Sequence, residues 1–151
     1  MTTLAAGDTA PAFSLPDQDG KPTSSRDLAG SRYVLYFYPA DDTAGCTVEA
    51  CAFNENLAAF QDLKAPVIGV SPDGAESHQR FRSKFGLRFS LLSDPEKKTL
   101  EAYGAWGERP GRGVGVIRST FLVSPAGKIE KAWYFVTPQG HAQEVLAALA
   151  A

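Results

Sequence analysis

The sequence predicts an α/β sandwich: a mixed central β-sheet flanked by helices, with a small hairpin at its N-terminal end. Three observations predict it. Strand and helix signals alternate along the chain. Two apolar runs, YVLYFY at 33–38 and VIGV at 67–70, suit strands covered on both faces. Between and after them, apolar residues recur at helical spacing. The 151 residues amount to about one domain, and 1–151 is read as a single unit.

Each element has its own reason. Residues 12–15 and the turn Asp17-Gln18-Asp19-Gly20 predict the N-terminal hairpin. Pro39 ends the first central strand, and a loop covers 40–45. Ala50, Phe53, Leu57 and Phe60 then mark one helix over 46–63, which Pro66 closes. The second strand, 67–70, runs into the turn Ser71-Pro72-Asp73-Gly74. His78, Phe81 and Phe85 share the face of the next helix, and 89–92 is a short strand. Asp94-Pro95 opens a helix through Tyr103 by placing proline behind a capping aspartate. Residues 104–115 carry five glycines and read as a mobile surface loop, with Arg109 and Arg112 solvated. Strands at 120–124 and 128–136 join through Pro125-Ala126-Gly127. Thr137-Pro138 starts the last helix, buried through Ala142, Val145, Leu146 and Leu149.

Composition excludes several functions. Lys plus Arg is 15 and Asp plus Glu is 17, a net charge of −2. A nucleic-acid or anionic-membrane binder should carry a basic excess, so neither partner is expected. No apolar run approaches the ~18 residues of a span. The N-terminal end has no basic region followed by a long apolar one, and the expected location is cytoplasmic. Zinc takes about four ligands, whereas His78 and His141 stand alone, so no metal is expected. Gly111, Gly113 and Gly115 miss the G-x-G-x-x-G pattern, because Val116 stands where the last glycine is needed. No cofactor is expected.

Chemistry concentrates in PADDTAGCTVEAC, residues 39–51. Cys46 lies where a buried strand gives way to a helix. The unpaired N–H groups and dipole of a helix N-terminus favour an anion, and so favour a thiolate. Cys51 follows five residues later. On composition alone the pair is either redox-active or two small buried hydrophobes.

The pattern Pro39-x-x-x-Thr43-x-x-Cys46, together with Arg118 in RSTF, resembles the active-site signature of the peroxiredoxins. The Cys46-x-x-x-x-Cys51 spacing is similar to the bacterioferritin comigratory protein (PrxQ) branch. GCTVEACAF, VIGVSPD, LLSDP and IRSTFLVSPAGKI extend the likeness over nearly the whole chain. Ala44, where many relatives have proline, and Gln139, where a lysine is common, are small departures.

The resemblance implies a thioredoxin-like fold, which agrees with the element order. It implies a thiol-dependent peroxidase of the atypical 2-Cys type, acting on hydrogen peroxide and organic hydroperoxides. Cys46 would be the peroxidatic nucleophile. The Thr43 hydroxyl and the Cys46 N–H would hydrogen-bond the thiolate and the peroxide. Arg118 would hold the thiolate and stabilise charge on the breaking O–O bond, and Pro39 would shield the sulfur from water. Cys51 would be the resolving thiol, giving an intrachain disulfide that a thioredoxin-type reductant restores. Such a pair does not require a dimer, and a monomer is expected.

That disulfide carries a geometric condition. Helical residues five apart are rotated by about 140° and have Cα atoms roughly 8.7 Å apart. A disulfide needs about 4.4–6.8 Å. Oxidation must therefore unwind the first turns of the helix that carries Cys46.

Each residue also has a plainer reading. Thr43 could cap the helix, Arg118 could be a surface charge and Pro39 a strand terminator. Glu49, read in the first turn, would favour the helix dipole or touch Arg118. His78 is read as structural or surface, His141 as a first-turn residue, and Trp106 and Trp133 as packing. Rival functions are a general thiol–disulfide oxidoreductase, a non-enzymatic redox sensor and a Cys–His hydrolase.

Overall fold

The computed structural model describes residues 3–151. Its centre is a five-stranded sheet. β3 (Tyr33–Phe37) lies in the middle, with β4 (Val67–Ser71) and then β5 (Ser90–Ser93) parallel to it on one side. On the other side β8 (Ser119–Val123) and β9 (Ile129–Tyr134) run antiparallel in turn. The sheet is therefore mixed. β1 (Ser14–Pro16) and β2 (Pro22–Ser24) form the expected N-terminal hairpin.

The alternation of β3 explains why its sequence is apolar throughout. Val34, Tyr36 and Tyr38 enter one core with Phe53, Phe60, Phe81 and Leu122. Tyr33, Leu35 and Phe37 enter the opposite core with Val70, Leu100, Tyr103 and Phe121. A strand sandwiched between two layers has no polar face to show.

The helices depart from the sequence reading in instructive ways. The single helix expected over 46–63 is two, α1 (Ala44–Glu55) and α2 (Leu57–Asp62). Asn56 breaks them, its side-chain amide donating to the Ala52 carbonyl at 2.8 Å. Asparagine offers the backbone this alternative to helix continuation. α3 (Ala75–Phe85) ends at Gly86, which adopts φ 64°, the left-handed conformation common after a helix. α4 (Lys98–Ala102) starts later than expected. Asp94 is set back from it, and its carboxylate accepts the N–H of Leu100 at 2.8 Å. α5 (His141–Ala150) also starts later, after Gly140.

The largest correction falls on 104–115. That stretch is not a loop but a hairpin, β6 (Trp106–Arg109) with β7 (Gly113–Val116). Its glycines remove the side-chain alternation that identifies strands, while the backbone ladder forms without it.

Candidate active site

The site assembles where β3 feeds α1. Thr43 is the N-cap of α1 and Cys46 its third residue, among the positions whose N–H groups find no partner inside a helix. The Thr43 hydroxyl does not cap; it donates to the Ala40 carbonyl at 2.9 Å. Cys46 is buried, 1% exposed, and both cysteines are free thiols.

Arg118 comes from the short link between β7 and β8, 72 residues away in sequence. Its Nη2 donates to Cys46 Sγ at 3.3 Å and its Nη1 to Glu49 Oε1 at 2.7 Å. One planar guanidinium thus faces both the sulfur and a carboxylate. Burial alone would depress the guanidinium's pKa, but facing Glu49 and Cys46 raises it instead.

Glu49 is where the sequence reading needs correcting. It is the sixth residue of α1, not a first-turn residue, and is fully buried. Its second oxygen has no hydrogen-bond partner. Burial pushes its carboxyl from 4.5 up to about 7, although Arg118 pulls the other way. The contact with Arg118, one of the two readings the sequence offered for Glu49, does form: Cys46 and Glu49 are three apart, so they share a helix face. Any cation reaching one can reach the other.

The loop before Cys46 is fixed from below. The Asp41 side chain accepts the Tyr38 hydroxyl at 2.5 Å, the Ser77 hydroxyl at 2.7 Å and faces His78 Nδ1 at 2.7 Å. The Asp41 N–H donates to Asp73 at 2.7 Å. His78 is buried, and its other ring nitrogen gives its hydrogen to the Leu92 carbonyl at 3.0 Å. Burial works against the Asp41 carboxylate, but His78, Tyr38 and Ser77 more than offset it and hold its pKa low. Asp42 next to it adopts φ 58°, a left-handed conformation that aspartate tolerates better than most residues. Sequence reasoning missed this network, since its members come from the loops after β3 and β4, from α3 and from β5.

The remaining residues separate from the thiol. Cys51 lies on α1, partly exposed. Burial first, and Glu55 second, raise its thiol pKa. His141 is buried and bonded to Thr120 and Glu144. Among the described residues, Cys46 has no histidine hydrogen-bond partner and no cluster of side chains fits a metal ion. No described helix is long and apolar enough to cross a membrane.

Residues 6–132 match the AhpC/TSA family. A Mycobacterium tuberculosis relative provisionally named a peroxiredoxin is 50% identical over 143 residues, spanning 93% of this chain and 91% of its own.

The chain belongs to the AhpC/TSA family.

Within it, the protein is a peroxiredoxin of the bacterioferritin comigratory protein (PrxQ) kind, a thiol-dependent peroxidase. Peroxiredoxin Bcp of Escherichia coli is 41% identical over 149 residues, with 97% of this chain and 96% of that one covered. The solved structure of Xylella fastidiosa PrxQ, a cysteine-to-serine variant, superposes with a TM-score of 0.93 at 35% identity, covering 99% and 98% of the two chains. The thioredoxin-like arrangement expected from the element order is therefore the fold of this peroxiredoxin.

Proposed function

We propose that this peroxiredoxin reduces hydroperoxides at Cys46 and recycles through an intrachain Cys46–Cys51 disulfide. The observation that carries the reading is Arg118 spanning Cys46 and Glu49. In the first step the Cys46 thiolate attacks the outer peroxide oxygen and the O–O bond breaks. The remaining oxygen leaves as alkoxide or hydroxide and takes a proton, and Cys46 becomes a sulfenic acid. Arg118 stabilises the charge that spreads over sulfur and oxygens in that step. Thr43 already donates to Ala40, which leaves its oxygen free to accept the hydroperoxide's hydrogen. Pro39, half-buried beside Arg118, limits water at the sulfur. Cys51 then displaces water from the sulfenic acid to form the disulfide.

A thioredoxin-type dithiol reduces that disulfide, and the enzyme works as a cytoplasmic monomer of the atypical 2-Cys type, one domain over 1–151. The relative from Xanthomonas campestris, a bacterioferritin comigratory protein described for alkyl peroxide reduction, is 40% identical with a TM-score of 0.87 over 91% of this chain and 90% of its own. This supports organic hydroperoxides as substrates here.

The test is the rate at which reduced protein loses thiols to hydrogen peroxide, against free cysteine. Full ionisation alone gains about 30-fold at pH 7. The peroxidase reading expects a rate far above that, and turnover with thioredoxin, thioredoxin reductase and NADPH. A rate within 30-fold, without turnover, would favour a redox sensor or general oxidoreductase.

A further inference from the structure

The hydrogen bonds around Thr43 reach past the thiol to a carboxylate that the reaction so far does not use. β3 and β4 are parallel neighbours, so the segments leaving their C-terminal ends lie side by side. The first carries Ala40, Asp41 and Thr43, and the second carries Asp73. Asp73 is itself fixed. Its Oδ2 accepts the Ser71 hydroxyl at 2.8 Å, and its N–H donates to Ser71 Oγ at 3.1 Å. Ser71 is buried at the end of β4, and the ring of Pro72 between them locks the turn.

The same Asp73 oxygen accepts the Asp41 N–H at 2.7 Å. That N–H belongs to the peptide unit whose carbonyl is Ala40's, and this carbonyl takes the Thr43 hydroxyl hydrogen at 2.9 Å. A peptide unit is planar, so its N–H and C=O turn together. Asp73 on one edge therefore sets the direction of the carbonyl on the other. The Asp41 side chain is held in turn by Tyr38, Ser77 and His78, which leaves the peptide little other freedom.

We propose that Asp73 is a positioning residue for peroxide reduction, acting on the Thr43 hydroxyl through the Ala40–Asp41 peptide. The proposal rests on the role given to Thr43 above. With its hydrogen committed to Ala40, the Thr43 oxygen offers only lone pairs, and the hydroperoxide's hydrogen meets an acceptor. A hydroxyl released from that carbonyl rotates, and its own hydrogen competes for the place of the peroxide's. Asp73 thus assists the step in which the O–O bond breaks while touching neither sulfur nor peroxide. The thiolate does not depend on it, since Arg118 and the N-terminus of α1 hold the sulfur.

The experiment compares two second-order rate constants, oxidation by hydrogen peroxide and alkylation by iodoacetamide, both read at Cys46 by mass spectrometry. Alkylation needs the thiolate but brings no hydrogen for Thr43 to accept. T43V removes the hydroxyl and should lower the ratio of oxidation to alkylation roughly tenfold or more. D73A should lower it about tenfold, the worth of one well-placed hydrogen bond. D73N keeps an oxygen for the Asp41 N–H and should recover most of that loss. In the T43V background, D73A should lower the ratio no further. V123A removes buried methyl groups from the opposite core, beside Tyr33 at the start of β3. It should leave the ratio at the native value, which separates positioning from loss of stability. Should D73A fail to fold, S71A frees the same carboxylate from its turn and should lower the ratio about threefold. A native ratio in the folded variant, an equal fall in V123A, or an undiminished effect of D73A without the Thr43 hydroxyl would overturn the proposal. A native ratio in T43V would instead sink the role of Thr43 itself.

Discussion

Arg118 and Glu49 form an ion pair of 2.7 Å in which the acid has no exposure to water and one oxygen has no partner. The same guanidinium reaches the Cys46 sulfur. R118K keeps the charge but loses the fork that spans both groups. It should slow thiol oxidation by hydrogen peroxide tenfold or more, about 1.4 kcal/mol per tenfold. Stopped-flow thiol loss in a variant with native circular dichroism checks this.

Glu49 also predicts a pH dependence of stability. Its carboxyl titrates near 7 in the fold against 4.5 ordinarily. The folded state therefore holds a proton that the unfolded chain has already released between those values. The stabilisation is complete below about 4.5 and is lost as pH rises through about 7, on the order of 3 kcal/mol in all. Urea midpoints of E49Q should be flatter than those of the native protein across that window.

The Asp41–His78 pair works in the opposite direction. Asp41 is held below its ordinary value, so its contribution is present above that value and lost as pH falls. H78A strands a buried carboxylate and should cost about 3 kcal/mol by urea denaturation at neutral pH. It should also loosen the 40–43 backbone, visible as faster amide exchange there.

In the proposed cycle Cys51 must become a thiolate to resolve the sulfenic acid, and burial and Glu55 both oppose that. E55Q removes one of the two. Disulfide formation after a single equivalent of peroxide should accelerate about two- to threefold near pH 7, and the gain should vanish once Cys51 is fully ionised.

Both cysteines lie on α1, so their joining requires that helix to unwind. Amide exchange over 46–52 should rise on oxidation; equal protection in both states would count against the disulfide. Stiffening the helix should prolong the sulfenic acid and increase sulfinic acid formation at high peroxide. Gly45→Ala is a poor probe, because its Cβ would meet Arg118 Nη2 at 3.1 Å and Pro138 at 3.4 Å. Val48 is β-branched and 40% exposed, so V48A raises helix propensity without touching the site.

The central strands were legible because their burial on both faces leaves a continuous apolar run. Cys46 and Arg118 were legible through a spaced signature. What the sequence hid has physical causes. The β6–β7 hairpin is held by its backbone ladder and by Arg109 over Gly115, neither of which leaves an alternating pattern. The Asp41 network joins the loops after β3 and β4 to α3 and β5, and no local window contains it. Asn56 reads as an ordinary polar helix position until its amide is seen on the Ala52 carbonyl.

That last interruption sets a limit on how far order would be lost in each turnover of the proposed cycle. α1 ends at Glu55, and α2 begins a residue later with Leu57 and Phe60 buried in the core. Unwinding between the cysteines can run to the asparagine and stop, because no continuous ladder carries it further. Leu57 and Phe60 stay seated and mark where the released segment must return. Repeated cycles of oxidation and reduction would therefore disturb a dozen residues, while the rest of the molecule keeps the memory of the fold.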